Sequence, residues 1–161
     1  MSALIKTFDI DATDFSEVEH VMFGEIPMAR AMQLRVRSFS DDNLVLAAPL
    51  APNINDKGCA FGGSLVSALT LSGWGLIFLR LRALGIHCDI YVQDSQIRYL
   101  LPVWSDFDAR AQLAEGESWD SFMAMLKTRG RARLCADCAV TLDDGKPACT
   151  LQARFVVIAR R

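Results

Sequence analysis

From Gly58 to Leu79 the chain carries no Asp, Glu, Lys or Arg, and this run follows directly on a polar loop, Asn53-Ile54-Asn55-Asp56-Lys57. A helix that is apolar all round has to be enclosed, by lipid or by other elements of its own fold. At roughly 20 residues the run is long enough to cross a bilayer. Its composition points the other way. Ser64, Ser67, Thr70 and Ser72, with Gly58, Gly62, Gly63, Gly73 and Gly75, dilute the hydrophobicity, and the rest of the chain alternates as sheet does. The expectation is a buried central helix over about 63–83, wrapped by a sheet and not by a membrane. Its first turn, Gly62-Gly63-Ser64, offers unpaired N–H groups and the positive end of the helix dipole to a ligand.

A chain of 161 residues is expected to form a single domain, 1–161, with a core that needs no staples. Its net charge of −2 and pI near 5.6 exert no general pull on nucleic acid, and no arginine-rich arm or zinc-finger spacing occurs. Residues 1–15 carry Lys6, Asp9, Asp11 and Asp14 without the apolar stretch of a secretion signal, so a cytoplasmic location is expected. Five cysteines, an odd number, read as small buried residues kept reduced. Cys135 and Cys138 form a C-x-x-C, but a spacing of three in a strand sends the two side chains to opposite faces. No metal and no resident cofactor is expected.

The pattern predicts an N-terminal helical segment over about 16–32, opened by Ser16 and divided at Pro27. Short strands over 34–39 and 44–48 flank an Asp41-Asp42-Asn43 turn. After the central helix, ended at Leu84-Gly85, strands are expected over 89–101 and 107–114, paired across Trp104-Ser105-Asp106. Trp119, Phe122 and Met125 have helical spacing. From Arg131 the period is two: Ala132, Leu134, Ala136, Cys138, Val140 and Leu142 share one face, and Cys149, Leu151, Ala153, Phe155 and Val157 continue it beyond an Asp143-Asp144-Gly145 hairpin. This order predicts an α+β hotdog fold, a curved antiparallel sheet wrapped around a long central helix.

Four blocks, Pro49-Leu50-Ala51-Pro52-Asn53-Ile54-Asn55, Ala60-Phe61-Gly62-Gly63-Ser64, Gly73-Trp74-Gly75 and Asp94-Ser95-Gln96-Ile97-Arg98-Tyr99-Leu100-Leu101-Pro102-Val103, resemble the thioesterase family that also forms the C-terminal domain of YiiD-type acetyltransferases. The resemblance covers nearly the whole chain and implies action on acyl-CoA or acyl carrier protein thioesters by a homodimer or a dimer of dimers. Related hotdog enzymes of the phenylacetyl-CoA type have an Asn in the loop, a His before the glycine pair and a carboxylate further along the helix. Here Asn55 fills the first place, whereas Phe61 and Thr70 occupy the other two.

Neither Phe61 nor Thr70 is a general base, so the electrophilic part of the machinery is what remains. Backbone N–H groups at Gly62 and Gly63 are expected to polarise a thioester carbonyl, with Asn55 orienting water or binding the carbonyl. Ser64, Thr70 and Asp94 are secondary candidates, Asp94 through the partner's site in a dimer. Asn53, Asp56, Phe61, Arg98, Arg131 and Arg133 are expected substrate contacts. Asp56 has the alternative of a solvated cap, and the row Lys127, Arg129, Arg131, Arg133 that of a solvated face. His20 and His87 fall in no motif. Thioester hydrolysis is the first expectation. Malonyl thioester decarboxylation, which needs no base, and simple acyl-thioester binding are the alternatives.

Overall fold

The computed structural model describes residues 15–40 and 42–160. Asp41 of the expected first turn, residues 1–14 and Arg161 lie outside the described residues. Ser16–Glu25 (α1) and Pro27–Ala31 (α2) are separate helices joined at the extended Ile26. Pro27 causes the break, because it lacks the N–H that would continue α1 and its fixed φ suits a first helical turn. Ser16 is the first helical residue and not the cap; that position falls to Phe15, which makes no side-chain bond.

The sheet contains Arg35–Ser40 (β1), Asn43–Ala48 (β2), Cys88–Tyr99 (β3), Phe107–Leu113 (β4), Arg131–Thr141 (β5) and Pro147–Ala159 (β6), in the order β1-β2-β4-β5-β6-β3 with every pair antiparallel. The expected pairing of β3 with β4 does not occur. β3 runs against β6 from Cys88↔Ala159 to Tyr99↔Cys149, while β4 enters between β2 and β5. The connection over 100–106 is too long for a tight hairpin and instead crosses the end of the sheet. It is tied there by Leu100 and Leu101 N–H to Ala148 O and by Ala60 N–H to Val103 O.

Gly62–Ala83 (α3) lies in the curve of the sheet and buries Leu65, Ala68, Leu69, Leu76, Ile77 and Leu81, each such leucine worth about 1.5–3 kcal/mol in apolar transfer. It is long and apolar enough to cross a membrane, yet most of its apolar stretch is buried by the domain itself. Trp119–Arg129 (α4), capped by Ser118 Oγ accepting from Ser121 N–H, packs beside β5. The predicted inner faces of β5 and β6 are the buried ones, and Cys135 and Cys138 do point to opposite sides.

Candidate active site at the start of the central helix

Asn53 fixes the approach to α3. It ends a 3-10 turn, Ala51–Asn53, is 1% exposed, and donates from Nδ2 to Met32 O (2.9 Å) and Pro49 O (2.7 Å). Its main-chain carbonyl accepts the Phe61 N–H at 2.7 Å, so one buried residue ties α2, the loop and the helix start together. Asn53, expected as a substrate contact, has both amide hydrogens engaged with main-chain carbonyls inside the protein.

Asn55 builds the next turn. Its Oδ1 accepts from Lys57 N–H (2.8 Å), its Nδ2 donates to Cys59 Sγ (3.2 Å), and its own N–H reaches Cys59 O (2.8 Å). This is the Asx turn that short polar side chains favour. Half-buried Asn55 still has one amide hydrogen and one lone pair to spare. Asp56 is exposed and paired with Lys57 Nζ at 2.9 Å, which is the solvated arrangement.

Phe61, extended at φ −68 and ψ 134, is the residue from which α3 springs, and it provides no side-chain cap. Leu65 N–H finds Phe61 O, whereas the N–H groups of Gly62, Gly63 and Ser64 have no intrahelical acceptor. The glycines answer to aromatic rings. A Cβ on Gly63 would sit 2.3 Å from the Phe61 ring, and one on Gly62 would sit 3.3 Å from the ring of Tyr99. Phe61 and Tyr99 are 54% and 55% exposed, so two rings flank the opening and remain in contact with solvent. Beside them lies a cavity of about 310 Å³, lined by Ala60, Gly62, Leu65, Tyr99, Leu100 and Pro102 among others. The Tyr99 hydroxyl is 3.4 Å from Gly62 O, too long for a firm hydrogen bond, and is free to turn toward a bound group.

Ser64 is buried in the first turn, and Asn55 is not among the residues lining this cavity. Thr70 opens elsewhere, on a hollow of about 230 Å³ with Ile26, Met28, Val66, Ser67 and Leu71. Asp94 and Arg98 are not brought to the helix start within one chain. A bulge between Val92 and Asp94 resets the alternation of β3, so that Ser95, Ile97 and Tyr99 oppose the buried Ala153, Leu151 and Cys149, and Asp94 and Arg98 face outward. Asp94 is 3.4 Å from Arg154 there. Arg131 and Arg133 also lie on the outer face, at the far end of β5 from Val140, and Arg133 donates to Gln93 at 2.9 Å. Tyr99 is the residue at this opening that sequence reasoning missed. Its signal was parity: it follows Ser95 and Ile97 at a spacing of two.

Burial pushes the Cys138 thiol up to about 12 and the Cys149 thiol up to about 11, and it also raises Cys88 and Cys135. Neutral thiols are poor nucleophiles and poor metal ligands. Among the described residues no cluster of His, Cys, Asp or Glu is arranged to hold a metal.

A family profile described as "Putative thioesterase (yiiD_Cterm)" matches residues 15–159. A "putative thioesterase" from Shewanella oneidensis is similar at 30% identity and a TM-score of 0.75, over 88% of this chain and 95% of that one. A protein of unknown function from Chlorobaculum tepidum superposes with a TM-score of 0.84 at 28% identity, over 89% and 93% of the two chains. A thioesterase from Haemophilus influenzae, 17% identical over 82% of each chain with a TM-score of 0.64, shares the fold.

Proposed function

This chain belongs to the family described as "Putative thioesterase (yiiD_Cterm)", and from that premise we propose that it hydrolyses acyl thioesters at the start of α3. The observation that carries the reading is the uncapped helix N-terminus, where Gly62 lines a cavity bordered by Tyr99 and Gly63 follows it in the first turn. A thioester carbonyl placed there meets two backbone donors and the dipole of a helix of 22 residues. Water adds to the carbonyl carbon, negative charge collects on the carbonyl oxygen facing the donors, and the C–S bond then breaks. The products are a thiol and a carboxylic acid. Asn55 orients the water or the carbonyl with its spare amide hydrogen, and the Tyr99 hydroxyl supplies a further donor to the developing oxyanion.

Decarboxylation of a malonyl thioester is the second reading. What favours it is the chemistry around Gly62, where the cavity is lined by apolar side chains and a phenol and, among the described residues, by no carboxylate or imidazole. Loss of carbon dioxide breaks a C–C bond and leaves an enolate on the same thioester oxygen, so the same donors serve and no base is required. The carrier is acyl-CoA or acyl carrier protein in either case. Five free cysteines are compatible with a reducing, cytoplasmic setting.

Incubation with malonyl-CoA, malonyl carrier protein and a series of acyl-CoAs, with thiol and carbon dioxide followed separately, tests these readings. Thiol release supports hydrolysis. Carbon dioxide with the thioester intact supports decarboxylation, and binding without either product leaves a non-catalytic acyl-thioester module.

A further inference from the structure

Arg98 on β3 and Arg110 on β4 stand at the two ends of one cross-strand row on the outer face of the sheet. Arg110 opposes Ala139, Ala139 opposes Thr150, and Thr150 opposes Arg98. Three strand spacings of about 4.8 Å put the ends roughly 14 Å apart. The side chains between them are short, and the result is a hollow of about 400 Å³ floored by Ala139 and Thr150, within the size range of small-molecule pockets. The neighbouring row, Gln112, Asp137, Gln152 and Gln96, closes one flank, with Gln152 Nε2 donating to Asp137 at 3.0 Å.

The arginines here differ from others on the surface. Arg37 is held by Asp108, Arg154 by Asp94 and Arg160 by Asp89. Among the described residues Arg98 and Arg110 have no carboxylate or hydrogen-bond partner. Two unpaired cations against one carboxylate, itself already engaged, leave the hollow positive. Guanidinium forks match the oxygens of phosphate groups. The row is also next to the row of Tyr99, Cys149 and Val140, whose Tyr99 reaches Gly62 on the inner face. The basic residues Arg131 and Arg133, by contrast, sit at the other end of the sheet.

Resting on the thioester reading, we propose that this hollow binds the phosphate groups of a coenzyme A handle, which passes around residues 100–102 from a thioester held at Gly62. The substrate would then grip both faces of the same strand end. An acyl carrier protein, which brings its own surface, has no nucleotide phosphates to place there.

Calorimetry at low salt with free coenzyme A and with inorganic pyrophosphate compares the wild type, Arg98→Gln/Arg110→Gln and Arg98→Lys/Arg110→Lys. The Gln pair is expected to lose about tenfold or more in affinity for both ligands, the Lys pair less, and salt to weaken wild-type binding. For acyl-CoA the KM rises by a similar factor while kcat holds. Turnover of an acyl N-acetylcysteamine thioester, which carries no phosphate, stays the same in all three. Equal binding of coenzyme A and pyrophosphate by the wild type and a folded Gln pair overturns the proposal, as does a loss confined to acyl carrier protein substrates. Arginine-dependent coenzyme A binding without turnover of any thioester keeps the hollow and refutes only the enzymatic reading.

Discussion

The amide of Asn55 has two hydrogens and two lone pairs, and its own loop consumes one of each. If the spare hydrogen meets a thioester oxygen or the attacking water, Asn55→Ala lowers kcat by roughly 10²–10³, the usual effect of deleting one oxyanion donor. Asn55→Asp keeps the acceptor for Lys57 N–H, the stronger of its two loop bonds, and loses the donor along with its contact to Cys59 Sγ. Its turnover should fall as far with little change in Tm, and wild-type turnover of acyl and malonyl thioesters by both variants excludes a role for Asn55. Tyr99→Phe preserves the ring against Gly62 and removes the hydroxyl; a loss of similar size in kcat with unchanged KM is expected, and an unaffected kcat restricts Tyr99 to packing. Asn53 behaves differently. Asn53→Leu strips donors from two carbonyls, Met32 O and Pro49 O, and should destabilise the fold by about 2–6 kcal/mol in urea titrations, at about 1–3 kcal/mol for each buried group left unpaired. In the sequence the two asparagines look alike, since type and neighbourhood are nearly the same. Only burial tells the structural one from the one with an amide to spare.

Helix α3 and the strands beneath it fit because two positions lack a side chain. A Cβ on Gly73 would lie 2.8 Å from the ring of the fully buried Phe155, and one on Gly75 would lie 2.7 Å from Leu44. For Gly73→Ala, helix propensity returns about 1 kcal/mol while overpacking costs about 1–3 kcal/mol, so a net loss of up to about 2 kcal/mol is expected in urea titrations. A gain in stability would mean that the sheet can yield. Cys138 faces the same contact from β5, 3.4 Å from that Cβ position. Its thiol, raised from 9.0 to about 12 by burial, keeps its proton in the folded state where the unfolded chain has lost it. The unfolded state therefore binds fewer protons above pH 9, and stability declines as pH rises from about 9 toward 12. Thermal melts from pH 8 to 10.5 should show this decline, to which Cys149 adds, and Cys138→Ala should lessen it while lowering stability at pH 8. The long uncharged run and the period of two in β5 and β6 made these elements legible, because each has one dominant burial pattern. β3 was not legible to the same degree. Its bulge after Val92 shifts every later side chain to the other face, and nothing in Tyr91-Val92-Gln93-Asp94 marks that shift.

Of the two edge strands of the sheet, β1 and β3, the second is the one left with exposed apolar side chains. Among the described residues β3 bonds only to β6, so its other edge offers unpaired main-chain groups, and edges of this kind are sites of strand addition. The inner face of β3 is also poorly covered. Val92 and Tyr99 point to the same side as the buried residues of β6, yet they are 48% and 55% exposed, and Tyr91 on the outer side is 56% exposed. The two features coincide on one strand, and a second copy adding its own β3 would satisfy both with an isologous interface. The fold was readable from the sequence because one chain encloses α3. A dimer was expected only from the family resemblance, with Asp94 of this strand at the partner's site, because an exposed apolar strand and a covered one have the same composition. We therefore expect the chain to be a homodimer, with Tm rising as protein concentration rises, because only the associated state buries this strand. Val92→Lys places a charge on the edge and should shift the population toward monomer in analytical ultracentrifugation. If the opening at Gly62 is bordered by the partner's β3, kcat/KM of the variant falls on dilution and recovers at high concentration. If instead the wild type sediments as a monomer at every concentration, with full turnover, the exposed side of β3 belongs to a single chain and the site is complete without a partner.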